Sequence, residues 1–66
     1  MRLSINGEER AVEAVGDVAG LVARLGLDPR KVAVELNLAI VPRSTYAETP
    51  VREGDRIEIV HFIGGG

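Results

Sequence analysis

The chain has 66 residues, a net charge of −2, an apolar share of 45% and no cysteine. This length supports a single domain with a thin core, because a domain of this size buries only about 60% of the surface that its unfolded chain exposes, so a deep enzymatic pocket is not expected. The absence of cysteine excludes a disulfide scaffold, a thiolate metal site and a cysteine nucleophile. The arginines are scattered, which does not favour a nucleic-acid groove. A single histidine is too few for a histidine-based metal site.

A hairpin is predicted at the start of the chain. Leu3 and Ile5 alternate with polar residues, which is typical of a half-buried strand, and Asn6-Gly7 is the strongest two-residue hairpin signal. We expect the returning strand over residues 9–14, with Val12 and Ala14 facing inward.

One amphipathic helix is predicted after the hairpin. Asp17 can accept hydrogen bonds from the free N–H groups of the first turn. The apolar positions that follow have helical spacing and form one stripe, made of Val18, Leu21, Val22 and Leu25. Gly26 and Pro29 are residue types that end helices.

Three further strands are predicted in the second half. They cover residues 32–37, a short piece at Ile40-Val41 that Pro42 ends, and residues 56–63. Residues 44–49 have no clear period and are predicted to form a loop that includes one helical turn. In the last strand one face carries Ile57, Ile59, His61 and Ile63, and the other carries Glu58, Val60 and Phe62.

The order of these elements predicts an α+β fold. A single helix must cover the apolar face of one mixed sheet of four to five strands, with the first and last strands as central, parallel neighbours. This is the ubiquitin-like β-grasp architecture. We expect the domain to cover residues 1–63 and a flexible glycine tail to cover residues 64–66.

No catalytic constellation is visible in the sequence, so we expect a protein that is not an enzyme. The hydroxyls of Ser4, Ser44, Thr45 and Thr49 have only His61 as a possible base, and no oxyanion donors can be assigned. The carboxylates fall at turns and at outward strand positions, which is typical of a solvated surface.

The three glycines at the end are the most informative feature. Glycine lacks Cβ, so a tail of Gly64, Gly65 and Gly66 can enter a narrow channel, and its terminal carbonyl carbon is unhindered on both faces. Such a carboxylate could be activated by a partner as an acyl-adenylate and then attacked by a nucleophile. The alternative is a frayed terminus or an expression scar.

The sequence resembles the ThiS family, the sulfur carriers of thiamine thiazole biosynthesis. The resemblance spans the chain, and its most specific segments are 32–37 (VAVELN), 40–43 (IVPR) with Tyr46, 53–60 (EGDRIEIV) and the closing glycines. One departure is Leu38, where relatives often have glycine or a polar residue; a positive φ at this position would strain the turn by about 1–3 kcal/mol.

The resemblance implies a mechanism carried out by partners. An E1-like enzyme would use ATP to adenylate Gly66, with Gly65 as the second member of the required pair. Sulfur from a donor such as a cysteine desulfurase would then give a thiocarboxylate for thiazole synthase. The carrier would need no cofactor of its own, bind neither nucleic acid nor membrane, and act in the cytoplasm as a monomer when free.

The sheet face opposite the helix is expected to dock these partners. In the predicted register this face shows Ala33, Glu35, Glu58, Val60 and Phe62, and exposed apolar patches often mark interaction sites.

Three alternatives remain open at this point. The same chemistry could serve molybdopterin or another pathway. The chain could be a protein modifier that forms isopeptide bonds, for which Lys31 is the only lysine of its own. It could also be an interaction module whose tail is inert.

Overall fold

Five strands form one mixed sheet in the computed structural model, which describes residues 1–62. The strands are β1 (Arg2–Ile5), β2 (Glu8–Ala11), β3 (Val32–Leu36), β4 (Ala39–Val41) and β5 (Arg56–His61). Their order is β2-β1-β5-β3-β4, with β1 and β5 parallel and the other neighbouring pairs antiparallel. The predicted fold class and its central parallel pair are confirmed. The predicted boundary between residues 63 and 64 lies outside the described residues.

One α-helix, α1 (Val18–Arg24), packs on a single face of the sheet. The Asp17 side chain caps it by accepting a hydrogen bond from the Gly20 N–H at 2.8 Å, as the sequence predicts. The buried cluster between helix and sheet consists of Leu3, Ile5, Val18, Leu21, Val22, Val32, Val34, Val41, Tyr46, Val51 and Ile57. In the part of the chain that the structure describes, no helix is long and apolar enough to cross a membrane.

The returning strand is shorter than predicted, and the inward placement of Ala14 is wrong. β2 ends at Ala11, and a hydrogen bond of 2.8 Å from the Val12 N–H to the Met1 carbonyl closes its ladder with β1. Val12 is half-buried against the core, but Ala14 is exposed. After Val12 the chain leaves the sheet edge to reach the helix, so the alternation of the strand no longer sets which side chains are buried.

The segment predicted as a loop over residues 44–49 is a 3-10 helix spanning Arg43–Glu48. It buries Tyr46, whose ring enters the core and whose side chain is only 4% exposed. Sequence reasoning missed this contribution because a single buried aromatic residue produces neither a strand period nor a helix period.

Both hairpins turn through two residues with positive φ. Asn6 and Gly7 have φ values of 52° and 81°. Asn37 and Leu38 have φ values of 51° and 71°, and the ladder pairs the residues on either side of them directly. Positive φ at both central residues defines the type I′ turn, which favours Asn-Gly. Leu38 therefore holds a backbone conformation that glycine adopts without steric cost.

Replacing Leu38 by glycine should stabilise the fold. The leucine side chain is 70% exposed, so little buried apolar area is lost, whereas relief of the left-handed conformation should raise the free energy of unfolding by about 1 kcal/mol. Urea denaturation measures the change. Leu38→Ala is the matched control, because it removes the side chain but keeps Cβ; equal stabilities of the two variants would contradict the assignment of strain.

Candidate functional site

The central strand β5 leads to the predicted chemical site. The Phe62 N–H donates to the Lys31 carbonyl at 2.8 Å, which continues the ladder with β3 past the last residue of β5. The predicted sulfur attachment residue Gly66 and its neighbours Gly65 and Gly64 lie outside the described residues, as does Ile63. The structure therefore describes the domain and the strand that carry this segment.

The side chain of Asn6 supports β5 from the β1 side. Its Oδ1 accepts from the Ile59 N–H at 2.7 Å, and its Nδ2 donates to the Ile59 carbonyl at 3.2 Å. The Asn6 N–H also donates to the Ile57 carbonyl at 2.9 Å. The amide group therefore continues the parallel ladder by two bonds after the chain of β1 has turned away.

Asn37, the first residue of the other turn, performs the same role on the β3 side. Its N–H donates to the Arg56 carbonyl at 2.7 Å and its Oδ1 accepts from the Arg56 N–H at 2.9 Å. Its Nδ2 donates to Asp55 Oδ1 at 3.1 Å. The sequence predicts Asn6 as a turn residue and Asn37 as the end of a strand, whereas β3 ends at Leu36. A useful signal would have been that each of them begins a two-residue turn on a strand that flanks β5.

The sheet face opposite the helix carries the five residues predicted for docking. Val60 pairs with Ala33 and Glu58 pairs with Glu35 across the β3–β5 ladder, so these four side chains share the face. Val60 and Phe62 are 61% and 47% exposed, Ala33 is exposed, and both glutamates are half-buried. Their placement agrees with the predicted register, and their docking role stays a prediction.

Ile40 extends this surface onto β4 and was missed by sequence reasoning. It pairs with Glu35 and is 78% exposed. The length of the Asn37-Leu38 turn could have revealed it, because a two-residue loop fixes the register of the following strand. We call the set Ala33, Glu35, Ile40, Glu58, Val60 and Phe62 the outer face.

His61 lies at the rim of a groove on the helix side of the sheet. The groove has a volume of about 380 Å³ and is lined by Ile5, Asn6, Arg10, Arg24, Leu25, Leu27, Ile59 and His61. None of the described residues that line it carries a hydroxyl, so the structure does not bring His61 together with Ser4, Ser44, Thr45 or Thr49. Two of those hydroxyls instead donate to backbone carbonyls, Thr45 to Pro42 at 2.9 Å and Thr49 to Thr45 at 2.7 Å.

Within residues 1–62, no three histidine, aspartate or glutamate side chains are grouped so that they could hold a metal ion.

A five-strand mixed sheet with one helix on one face, and with its first and last strands parallel in the middle, defines a ubiquitin-like protein of the β-grasp class. The family model described as the ThiS family matches residues 3–66. The chain belongs to the ThiS family, and the resemblance seen in its sequence is confirmed.

Three relatives show how far the similarity extends. The sulfur carrier protein ThiS of Bacillus subtilis is 37% identical over 65 residues, which cover 97% of this chain and 98% of that protein. The crystal structure of a thiamine biosynthesis protein (ThiS) from Geobacter metallireducens superposes with a TM-score of 0.84 at 33% identity, and the match covers 100% of both chains. A thiazole synthase of Paramagnetospirillum magneticum is 59% identical over the 66 residues.

The thiazole synthase relatives are much longer than this chain. The match covers 100% of this chain but only 20% of the protein from Paramagnetospirillum magneticum, and the same shares hold for a thiazole synthase of Magnetococcus marinus. The chain therefore spans about a fifth of the length of these relatives.

Proposed function

We propose that this chain is a sulfur carrier of thiamine biosynthesis and is not itself a catalyst. The observation that carries the proposal is the end-to-end similarity to the Bacillus subtilis sulfur carrier, which leaves almost no part of either protein unmatched. In the proposal the working group is the carboxyl group of Gly66, and the catalysis is supplied by partner enzymes in the cytoplasm.

The proposed chemistry has two steps at the terminal carbonyl carbon. An E1-like enzyme first joins the Gly66 carboxylate to the α-phosphate of ATP, which releases pyrophosphate. The persulfide of a donor such as a cysteine desulfurase then forms a C–S bond as AMP leaves, which gives an acyl disulfide. A thiol cleaves the S–S bond of this intermediate, so that the thiocarboxylate is released and the two remaining sulfur atoms form a disulfide. Glycine suits this position because no Cβ hinders the approach of either reactant. ATP is a substrate of the partner, and the carrier needs no cofactor.

Thiazole synthase is the proposed acceptor of the sulfur. Its support is the similarity of this whole chain to a fifth of the thiazole synthases described above, at 59% and 50% identity. In those proteins a segment similar to this chain belongs to the same polypeptide as thiazole synthase, so its local concentration around the enzyme is high and docking is favoured. This observation favours the thiazole pathway over the molybdopterin alternative.

Mass spectrometry of the intact protein tests the proposal. The chain, first shown by its mass to end at Gly66, is incubated with the adenylating enzyme, ATP, a cysteine desulfurase, cysteine and a thiol reductant. We expect the mass to rise by the difference between one sulfur and one oxygen, with fragmentation placing the change at Gly66. Absence of this shift in a system that loads the Bacillus subtilis carrier would overturn the proposal. A covalent adduct on lysine instead would favour the protein modifier.

Phe62→Ala should weaken binding to the adenylating enzyme by about tenfold or more, because large aromatic side chains often dominate interfaces. The side chain is 47% exposed and lies outside the buried cluster, so the free energy of unfolding should change by less than about 1 kcal/mol. Calorimetric titration measures the affinity. Phe62→Leu is the control that keeps apolar bulk, and an unchanged affinity of the alanine variant would exclude Phe62 from the interface.

A further inference from the structure

Two carboxylates stand directly opposite each other at the centre of the outer face. Glu35 on β3 pairs with Glu58 on β5 in the antiparallel ladder. Residues in such a pair have their Cβ atoms about 5 Å apart, and like charges in this position destabilise a sheet. We therefore expect this like-charge pair to lower the stability of the sheet.

Cations within the domain compensate these charges only weakly. Arg56 Nε lies 3.8 Å from Glu58 Oε1, and the two side chains are 58% and 35% exposed, so this pair contributes little. Among residues 1–62, Glu35 takes part in no ion pair within 4.0 Å.

Apolar side chains surround the carboxylate pair. Ile40 stands beside Glu35 on the β4 side, and Val60 follows Glu58 on the same face of β5. Any protein that covers these apolar groups also removes water from the two glutamates. Desolvation of a carboxylate is costly unless the partner supplies a cation and hydrogen bonds. The face is therefore complementary to a surface that combines apolar contacts with positive charge.

We infer that the outer face docks on thiazole synthase through an arginine or lysine that inserts between Glu35 and Glu58, with apolar side chains of the enzyme against Ile40, Val60 and Phe62. This inference rests on the proposed function, which supplies thiazole synthase as the occupant. Arginine suits the position best, because its planar guanidinium can donate to both carboxylates at once.

The test compares charge-neutral variants of the carrier in binding to thiazole synthase from the same organism. The variants are Glu35→Gln, Glu58→Gln and the double variant. Glu8→Gln is the control, since it makes the same charge change at a residue that pairs with the buried Ile5 and so lies off the outer face. Titration calorimetry gives the affinities at low and high salt.

We expect the double variant to bind about tenfold or more weakly than the native chain and to lose most of the salt dependence of binding. Glu35→Gln should also raise the thermal midpoint of the free carrier by about 1–5 °C, because a like-charge pair is relieved. A merely structural role of the glutamates would not produce greater stability together with weaker binding. Native-like affinity of the double variant, a loss equal to that of Glu8→Gln, or no binding by the native chain would overturn the inference.

Failure of the inference is distinguishable from failure of the proposed function. The native chain and the variants are loaded with sulfur in parallel and weighed by mass spectrometry. A native chain that acquires no sulfur refutes the carrier function. A native chain that is loaded and binds thiazole synthase as tightly as the double variant refutes only the role of the carboxylate pair.

Discussion

A chain lacking Gly65 and Gly66 should acquire no sulfur at all, while its free energy of unfolding stays within about 0.5 kcal/mol of the native value. Among residues 1–62 the buried cluster runs from Leu3 to Ile57, and the deletion removes two glycines, which have no apolar side chain to bury. The variant still ends in a glycine carboxylate, at Gly64, but losing two residues shortens the reach of the chain by about 7 Å, so this carboxylate should not reach the adenylating site of the partner. Intact mass after incubation with the adenylating enzyme, ATP and the sulfur source measures loading, and urea denaturation measures stability.

An amidated Gly66 is the sharpest control for this deletion. It keeps the length and conformational freedom of the native chain but replaces the carboxylate, so it should also fail to load. If the amidated chain supported thiazole formation as well as the native chain, the carboxyl group would have no part in the function. If the deletion variant did so, the interaction module with an inert tail would be the correct reading.

Asn6→Gly should lower the free energy of unfolding by about 2 kcal/mol. Glycine adopts the positive φ of this turn position readily, so the turn itself is preserved. The loss comes from the two hydrogen bonds that the Asn6 amide makes with Ile59, each worth about 1 kcal/mol. Urea denaturation measures the total, and hydrogen exchange should show reduced protection of the Ile59 amide, which now donates to the side chain.

Two further substitutions separate the side chain from the turn. Asn6→Asp keeps the acceptor for the Ile59 N–H but loses the donor, so its stability should lie between those of the native chain and the glycine variant. Leu38→Gly, in contrast, should raise the free energy of unfolding, because it relieves the left-handed backbone conformation at that turn. An Asn6→Gly variant as stable as the native chain would show that the amide bonds merely replace equivalent bonds to water.

The regular elements could be predicted because their side chains repeat with the period of the backbone. The alternation around Leu3 and Ile5 and the helical stripe from Val18 to Leu25 each predict one buried face. With the order of the elements predicted, few topologies remain in which a single helix covers the apolar face of one sheet. The β-grasp fold therefore followed from local patterns and one packing requirement.

The parts that could not be predicted depend on contacts between distant residues. Tyr46 is buried by a 3-10 helix whose sequence has no hydrophobic period. Ala14 is exposed because the chain leaves the sheet before residue 14. Asn6 contacts Ile59 across 53 positions of sequence. Ile40 joins the outer face only through its register with Glu35. Sequence patterns report which residues prefer burial, and they do not report which partner a polar side chain will meet.

The central position of β5 would have a mechanical consequence under the proposed function, in which a partner enzyme acts on the end of the chain. A pull on the end of this strand acts along its axis and loads the ladders with β1 and β3 together, as shear. An edge strand would instead be peeled away one bond at a time. The side chains of Asn6 and Asn37 add hydrogen bonds on both flanks of β5, so we expect the domain to resist unfolding when a partner pulls on the C-terminal end of the chain.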